Sequence, residues 1–274
     1  MNSTRVVLLG SGPSSGVPGV GIGWGNCNPD NPLNVRTRQS LAVERHGKRI
    51  LVDTSPDLRE QLLRENMNEL DAVVFTHAHA DHLHGIDDLR GINKAIGRPL
   101  PVFADAETHK QINNRFGYTL LPLPPDRPTF FTRPVLEMTE FVPGENLDVV
   151  GEPVGTFLQD HGYSKTVGYK FGSVAYSTDV KTLSDDVLDD LAADEIDVWI
   201  IGVFSWKEHW THAHVDLALE WIERVKPRRG ILTHLGNGID YDELKAYVPD
   251  HVLPAFDGMT IEVASRGGEI TISS

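Results

Sequence analysis

The chain has 274 residues, of which 40% are hydrophobic, and a formal net charge of −14 at pH 7, so it can bury the core of one large domain or two and disfavours nucleic acid as a partner. Its single cysteine, Cys27, excludes an internal disulfide, and no apolar stretch is long enough to span a membrane. Because the apolar run Val6 to Leu9 is also too short for the core of a signal peptide, we expect a cytoplasmic protein.

The first half of the chain alternates between predicted strands and predicted helices. Short apolar runs rich in β-branched residues predict strands, and Arg45-His46-Gly47-Lys48 predicts a hairpin turn between two of them. A helix is indicated after Ser55, where Pro56 takes a first-turn position. The predicted strands are Val6 to Leu9, Ser40 to Glu44, Ile50 to Val52, Val73 to Phe75 and Val102 to Ala104, and the predicted helices are Pro56 to Glu65 and His84 to Ile96.

The segment from Tyr118 to Pro143 is the least regular part of the chain. It contains the run Leu121-Pro122-Leu123-Pro124-Pro125 and a further Pro128. Proline lacks the backbone N–H that helices and central strands need. Two interpretations stay open for this segment, a lid over a substrate or a plain surface connection.

The second half repeats the alternation of strands and helices. A helical apolar stripe is indicated by Leu217, Trp221 and Val225. We expect one domain over residues 1–274, built from two α/β halves of about 1–150 and 151–274. The predicted strands are Glu152 to Leu158, Val167 to Phe171, Val174 to Ser177, Val198 to Ile201, Gly230 to Leu232 and Thr260 to Val263, and the predicted helices are Ser184 to Ala193, Val215 to Lys226 and Tyr241 to Tyr247.

The run His77-Ala78-His79-Ala80-Asp81-His82 carries four potential metal ligands in six residues. Imidazole and carboxylate are ligand types that suit zinc, manganese or ferrous iron. The run follows the predicted strand Val73 to Phe75, and a strand would hold such ligands rigidly. Closely spaced histidines repel each other when both are protonated, and buried histidines and carboxylates need polar partners. A bound metal ion relieves both problems.

This hexad matches the signature of the metallo-β-lactamase-fold hydrolases, and the chain resembles that family in the order of its later motifs. The matching positions are His161 in Gln159-Asp160-His161-Gly162, Asp179 in Tyr176-Ser177-Thr178-Asp179 and His234 in Ile231-Leu232-Thr233-His234. The resemblance implies an α/β fold with four layers, α/β/β/α, and a site at one edge of the sheets.

The same resemblance implies two divalent metal ions, zinc or manganese, with iron as a further option. Asp179 would bridge the two ions. The first ion would be held by His77, His79 and His161, and the second by Asp81, His82 and His234.

Three longer segments are similar to one branch of the family. They are Gly10 to Pro18, Leu51 to Asp57 and His161 to Tyr169, and they resemble the branch that contains phosphoribosyl 1,2-cyclic phosphate phosphodiesterase and, more distantly, the tRNA 3′-processing endonucleases. That branch has a further histidine before its last core helix and strand. His212 in Trp210-Thr211-His212-Ala213-His214 falls at this position, and the resemblance gives it the role of general acid.

Several other polar residues have roles that the sequence leaves open. Ser164, Lys165 and Thr166 follow His161 and are candidates for contacts with a substrate phosphate, with an ordinary exposed turn as the alternative. His209 and His214 are expected to be solvated loop histidines. Asp53 and Asp57 are expected to orient metal-ligating histidines or to cap the following helix.

The chain departs from the branch in the loop after its first strand. Many members hold a structural zinc there with a Cys-x-Cys-x-x-Cys motif and a later histidine, positions that correspond to Ile22, Trp24, Cys27 and Asn237. One thiol cannot form a tetrahedral Cys₃His site. We therefore expect no structural zinc, and a loop from Pro13 to Pro32 that is held by the packing of Trp24 and of its prolines.

These observations favour a dinuclear metal-dependent hydrolase of a small (cyclic) phosphodiester. The resemblance implies a metal-bridging hydroxide as nucleophile, with His212 and Asp81 as catalytic residues, and imidazole suits proton donation because it ordinarily ionises near neutral pH. One alternative is a hydrolase of a lactone, thioester or β-lactam, which would not require His212. Another is an RNA-processing nuclease, which would need a basic arm.

The expected partners follow from the charge. The longest basic cluster, Lys226-Pro227-Arg228-Arg229, is better explained as the cationic end of a helix than as an RNA-binding surface. Metal ions reverse the local field inside an acidic protein, so a small anionic phosphodiester is a suitable substrate. We expect no nucleic-acid partner and no membrane partner, and a homodimer as the assembly if the protein is not a monomer.

Overall fold

The computed structural model describes residues 3–126 and 131–274. Two mixed β-sheets of eight and seven strands pack against each other, and helices cover their outer faces. The predicted α/β fold with four layers, α/β/β/α, is confirmed. Pro128, which belongs to the irregular segment, lies outside the described residues. Within the described ranges no helix combines the length and the apolar composition needed to cross a bilayer.

The strands are short, and most of them are buried on both faces, as expected for strands that lie between a second sheet and a layer of helices. The strands are β1 (Thr4–Gly10), β2 (Ser40–Arg45), β3 (Lys48–Val52), β4 (Ala72–Val74), β5 (Leu100–Asp105), β6 (Leu136–Phe141), β7 (Asn146–Val149), β8 (Glu152–Asp160), β9 (Lys165–Phe171), β10 (Val174–Ser177), β11 (Val198–Gly202), β12 (Arg229–Thr233), β13 (Val252–Pro254), β14 (Thr260–Val263) and β15 (Ile270–Ser273).

The order of the strands brings several carboxyl ends to one edge. The first sheet runs β15-β14-β1-β2-β3-β4-β5-β6, and the second runs β13-β12-β11-β10-β9-β8-β7. Strands β3 to β6 are parallel to one another, and so are strands β10 to β13. Residues that follow parallel neighbours therefore meet at the same edge of the sandwich, which is where α/β folds place their ligands.

Polar side chains cap the start of three helices. Asp105, Ser184 and Asp240 accept hydrogen bonds from backbone N–H groups of the first turn. The helices are α1 (Leu58–Arg64), α2 (Ala80–Leu83), α3 (Leu89–Ile96), α4 (Ala106–Phe116), α5 (Asp185–Ala193), α6 (Val215–Val225) and α7 (Tyr241–Tyr247), with short 3₁₀ helices at Pro32–Asn34, Ile86–Asp88 and Gly117–Leu120.

The core has three hydrophobic clusters. The central one lies between the sheets and includes Val43, Tyr169 and Ile200. The second lies between one sheet and helices α5, α6 and α7, and the third lies between the other sheet and helices α1, α3 and α4. Burial of apolar surface in all three clusters holds the loops at the edge of the sheets in place.

The structure corrects several sequence predictions. Strand Thr260–Val263 was expected in the second half, but it pairs with β1, with Ile261 opposite Val6, and so belongs to the first sheet. The helix predicted from His84 begins at Leu89. Helix α4 and strands β6 and β7 were not predicted. Strand β6 (Leu136–Phe141) lies within the segment from Tyr118 to Pro143 and forms one edge of the first sheet. The second part of this segment is therefore a sheet edge and not a lid.

Hydrogen bonds contribute to holding the loop from Pro13 to Pro32, for which packing of Trp24 and of its prolines was expected; Trp24 is half-buried. The buried Arg36 donates through Nη1 to the carbonyl oxygens of Leu235 and Ile239, at 3.3 and 2.9 Å. The backbone N–H of Asn26 donates to Asn237 O at 2.8 Å. The Cys27 thiol lies against the same turn, 3.3 Å from Ile239 O. A buried cation and backbone contacts therefore join this loop to the turn after β12.

Asp257 joins three distant parts of the chain. One carboxylate oxygen accepts hydrogen bonds from the backbone N–H and the hydroxyl of Ser11, and the other accepts from the same two groups of Thr37. The backbone O of Ser11 in turn accepts from Leu235 N at 2.9 Å. Asp257 therefore helps to fix the segment that follows β12.

We predict that Asp257→Asn lowers the free energy of unfolding by about 2–4 kcal/mol, because the amide nitrogen faces two donors and leaves both without an acceptor. Urea unfolding followed by circular dichroism measures this change. Asp250→Asn is the control, since Asp250 is exposed and the substitution removes the same charge. Equal stability of the two variants would contradict the role of Asp257.

Candidate metal centre

Histidines and aspartates from five strand ends meet at the edge of the two sheets. His77, His79 and Asp81 follow β4, His161 follows β8, and Asp179 follows β10. His212 lies on the loop after β11, and His234 directly follows β12. The structure brings together all the residues that the sequence predicted as metal ligands, together with His212.

Asp179 lies at the centre of this cluster. Its Oδ2 is 3.6 Å from His77 Nε2 and 3.5 Å from His161 Nε2. Its Oδ1 is 3.2 Å from His82 Nε2 and 3.4 Å from His234 Nδ1. Each carboxylate oxygen thus faces one set of histidines, which is the arrangement that a bridging ligand requires.

Ligand atoms in the cluster form compact groups. Within each group, one atom from every residue lies within 4.8 Å of the others. The three groups are His77, His79, His161 and Asp179; then Asp81, His82 and His234; then Asp179, His212 and His234. The third of these groups shares Asp179 with the first group and His234 with the second.

Three central residues have an unusual backbone. The φ angles of Asp53, Asp179 and His234 are +63°, +47° and +55°, in the left-handed region that L-residues rarely adopt. Each of them directly follows a strand or lies within two residues of its end. Such strain is typical of functional sites, where the surrounding structure imposes it. Here it accompanies side chains of Asp179 and His234 that lie in the cluster and of Asp53 that lies behind it.

Asp53 supports two of the histidines from behind. Its Oδ2 is 2.7 Å from His82 Nδ1 and also accepts from the hydroxyl of Thr76 at 2.7 Å. The same hydroxyl is 2.9 Å from His77 Nδ1. The carboxylate is fully buried. Asp53 therefore orients His82 directly and His77 through Thr76, as the sequence prediction had it, and leaves Nε2 of both rings to face Asp179. Asp57 instead forms a two-bond pair with Arg38.

Hydrogen bonds between the sheets hold the two halves of the cluster together. Tyr169 OH donates to Phe75 O at 2.6 Å, and Val167 N donates to Thr76 O at 3.0 Å. On the other side, His161 Nδ1 is 2.6 Å from Thr211 O. The His161 ring therefore carries its hydrogen on Nδ1 and presents Nε2 to Asp179.

The charges of the site suit a cation. Burial lowers the pKa of His77 well below its usual value and that of His234 to about 4, so both rings are neutral, as metal ligands must be. Burial opposes ionisation of Asp179, but His234 and His82 hold its pKa well below the usual range. Burial also disfavours a charged His82, yet the carboxylates of Asp179, Asp81 and Asp53 raise its pKa well above the usual value.

The residues present fit a metal pair. Three buried nitrogens that face the centre, His77 Nε2, His82 Nε2 and His234 Nδ1, have no hydrogen-bond partner among the residues that the structure describes. Buried polar atoms without partners are rare in folded proteins and usually mark a bound ion or water. Three buried or nearly buried carboxylates, those of Asp53, Asp81 and Asp179, also require positive charge nearby. Divalent cations would satisfy both groups.

The three residues predicted to contact a substrate phosphate, Ser164, Lys165 and Thr166, have different environments in the structure. Thr166 is buried, accepts from Gln159 Nε2 and donates to Asp179 O at 3.2 Å, so its hydroxyl supports Asp179. The Lys165 ammonium pairs with Asp160 at 2.6 Å. Ser164 is partly exposed, and its carbonyl accepts from His161 N. Thr166 is buried and Lys165 is exposed because β9 begins at Lys165, and side chains alternate between the two faces of a strand.

His209, Phe204 and Thr211 were not recognised as parts of the site. His209 was expected to be a solvated loop histidine, but its Nδ1 lies 3.2 Å from His212 Nδ1. Phe204 packs against both of these rings. The only sequence signal was the spacing of His209 and His212 on one loop. His214, by contrast, directly precedes α6.

A family model described as the β-lactamase superfamily domain matches residues 48–235. The chain belongs to the metallo-β-lactamase superfamily. A solved structure titled as a new diphosphatase from the PhnP family superimposes with a TM-score of 0.84 and 29% sequence identity, over 95% of this chain and 97% of that chain. Members of this superfamily bind divalent metal ions, which agrees with the His and Asp cluster.

Two curated proteins are also similar in sequence. An octanoyltransferase of Porphyromonas gingivalis is 33% identical over 265 residues, 96% of this chain and 52% of that protein. A ribonuclease Z of Bradyrhizobium sp. is 27% identical over 153 residues, 53% of this chain and 47% of that protein. The chain thus spans about half the length of either relative, and their names describe proteins that extend well beyond the matched part.

We predict that Asp179→Ala loses both metal ions, because Asp179 faces both sets of histidines, whereas Asp81→Ala keeps about one ion per chain, because Asp81 belongs to one group of ligands. Elemental analysis of the purified variants measures the metal content. Circular dichroism checks that both variants are folded. Unchanged metal content in Asp179→Ala would remove Asp179 from the centre.

Proposed function

We propose that the protein is a dinuclear metal-dependent hydrolase that cleaves a small phosphodiester, with cyclic phosphodiesters as the first class to test. The observation that carries this proposal is the position of Asp179, whose two oxygens each face a separate set of ligands. Divalent ions at such a site lower the pKa of water and polarise phosphoryl oxygens.

The side chains of this chain have distinct roles in the proposed reaction. Asp179 would hold both cations and offset their charge. Asp53 and the carbonyl of Thr211 set which nitrogen of the ligating histidines faces the centre. Asp81, which the sequence places among both ligands and catalytic residues, acts here as a ligand beside His82, at 3.4 Å from its Nε2.

His212 is proposed as the proton donor. Its Nε2 lies 3.4 Å from Asp179 Oδ2, and its side chain is 13% exposed, whereas those of His77, His82 and His234 are 4% exposed or less. It is thus at the open side of the centre, where a substrate would enter. In the proposed step His212 carries a hydrogen on both ring nitrogens. As water attacks phosphorus and releases a proton to solvent, the bond to the leaving oxygen breaks, that oxygen takes the proton from His212 Nε2, and the ring keeps its hydrogen on Nδ1.

This role of His212 favours a phosphodiester over a thioester. An alkoxide that leaves from phosphorus is a strong base and departs slowly without a proton. A thiolate needs little protonation. The metal site alone would serve either class of substrate, so His212 is the residue that separates them.

A second candidate is the hydrolysis of a diphosphate bond. It is favoured by the similarity to the diphosphatase structure, which extends over nearly the whole of both chains. The two candidates share attack on phosphorus and differ in the leaving group, an alcohol in one case and a phosphate in the other. A phosphate is the better leaving group and depends less on His212.

We predict that His212→Ala lowers turnover by about 10² to 10⁴ on a diester with a sugar leaving group, and much less on a bis-nitrophenyl diester, whose phenolate leaves without a proton. Steady-state kinetics on a ribose cyclic phosphodiester, a dinucleoside diphosphate and the nitrophenyl diester measures the contrast. A lactone, a thioester and a cephalosporin complete the panel.

Metal content is the control for the His212 variant, because His212 also lies within ligand distance of Asp179 and His234. The proposal requires unchanged metal in His212→Ala. Loss of metal, or equal losses of rate on all substrates, would show that His212 ligates or positions and would remove the argument for a phosphodiester.

We predict no measurable binding of RNA or duplex DNA at physiological salt, because the net charge is −14 and the basic residues Lys226 to Arg229 lie at the end of α6 and the start of β12. Gel-shift titration with a transfer-RNA precursor measures this. Binding that weakens steeply with added salt would contradict the prediction and favour an RNA-processing nuclease, the activity that the ribonuclease Z relative is named for.

A further inference from the structure

The His212 ring is held between two other rings. It stacks on Phe204 with a centroid distance of 5.1 Å and an interplanar angle of 28°, and on His234 with 5.1 Å and 15°. Such stacking fixes the plane of an imidazole. It does not distinguish the two orientations related by a half-turn about the Cβ–Cγ bond, and only one of them directs Nε2 toward Asp179.

Hydrogen bonds at Nδ1 of the His212 ring determine which of the two orientations it adopts. His212 Nδ1 is 2.8 Å from Thr211 Oγ1 and 3.2 Å from His209 Nδ1. After a half-turn of the ring, the Cδ2–H group would occupy this position, and neither contact could be a hydrogen bond of ordinary strength.

The backbone of Thr211 determines the direction of these bonds. Its N–H points at His209 Nδ1 with a separation of 3.3 Å, and an N–H can only donate. His209 Nδ1 is therefore an acceptor and carries no hydrogen, so its hydrogen is on Nε2. The Thr211 hydroxyl is also 3.3 Å from His209 Nδ1. In the contact between the two histidines His209 Nδ1 can only accept, so the hydrogen lies on His212 Nδ1, and Thr211 Oγ1 is then a second acceptor of that hydrogen.

We propose that His209 is a positioning residue for His212. It accepts the Nδ1–H of His212, excludes the flipped orientation and so keeps Nε2 directed at the reaction site, 3.4 Å from Asp179 Oδ2. His209 is itself held in place, since its ring packs on Phe204 at 4.7 Å. The catalytic consequence of this proposal rests on the proton-donor role of His212, whereas the orientation and the tautomer do not.

The test compares His209→Ala with His209→Asn. The Asn side chain can place its oxygen close to the position of Nδ1 and can accept from Thr211 N–H and from His212. His214→Ala is the matched control, because His214 is also a half-buried histidine of this loop and makes no side-chain hydrogen bond within the described ranges. Elemental analysis should show unchanged metal content in all three variants.

The first readout is the tautomer of His212 in zinc-reconstituted protein, from long-range ¹H–¹⁵N correlation spectra at a pH at which the ring is neutral. The His212 signals are assigned by their loss in His212→Ala. We expect hydrogen on Nδ1 in the wild type, in His209→Asn and in His214→Ala, and a mixture of tautomers in His209→Ala. The same tautomer in His209→Ala as in the wild type would overturn the proposal.

The second readout is turnover. A net hydrogen bond of ordinary strength corresponds to a change of about 2- to 13-fold, so His209→Ala should lose about that factor on the ribose cyclic phosphodiester and little on the nitrophenyl diester. His209→Asn should recover most of the loss. Equal losses in the two variants would overturn the proposal. If the wild type cleaves no phosphate ester, the proposed function fails, while the tautomer still tests the position of His212.

Discussion

The carboxylate of Asp179 is the group on which the site depends. It is almost completely buried, and histidines approach both of its oxygens at 3.2–3.6 Å. A buried charge of this kind is costly unless cations compensate it, and the same geometry would place two cations on either side of one ligand. The left-handed backbone at Asp179 directs the side chain to this point, and Thr166 supports it through the carbonyl oxygen.

The sandwich gives this arrangement its rigidity. Each functional loop begins at a strand that is buried between a sheet and a helix layer, and hydrogen bonds such as Tyr169 OH to Phe75 O join the two sheets close to the site. Supporting groups behind the histidines fix their tautomers, with Asp53 behind His82 and Thr211 O behind His161. Arg36, which follows the loop after β1, is joined to the turn after β12 through the carbonyl oxygens of Leu235 and Ile239.

Features of the fold and site that depend on residues close together in the sequence could be predicted, and features that depend on contacts between distant residues could not. The ligands from His77 to His82 lie within one turn, so their spacing alone indicated metal chemistry, and the alternation of strands and helices indicated the fold class. The pairing of Thr260–Val263 with β1 depends on contacts across the whole chain, and no local pattern encodes it. Thr166 was misjudged because the start of β9 decides which way it faces. His209 was underrated because its partner is a ring whose orientation only the folded loop defines.

The central claim is that Asp179 bridges two metal ions while His212 remains free to donate a proton. Anomalous diffraction at the zinc edge from crystals of the reconstituted protein tests it most directly. We predict two peaks, about 3.5–4 Å apart, one on each side of the Asp179 carboxylate, with His212 Nε2 outside bonding distance of both. A single peak, or a peak bonded to His212 Nε2, would contradict this account.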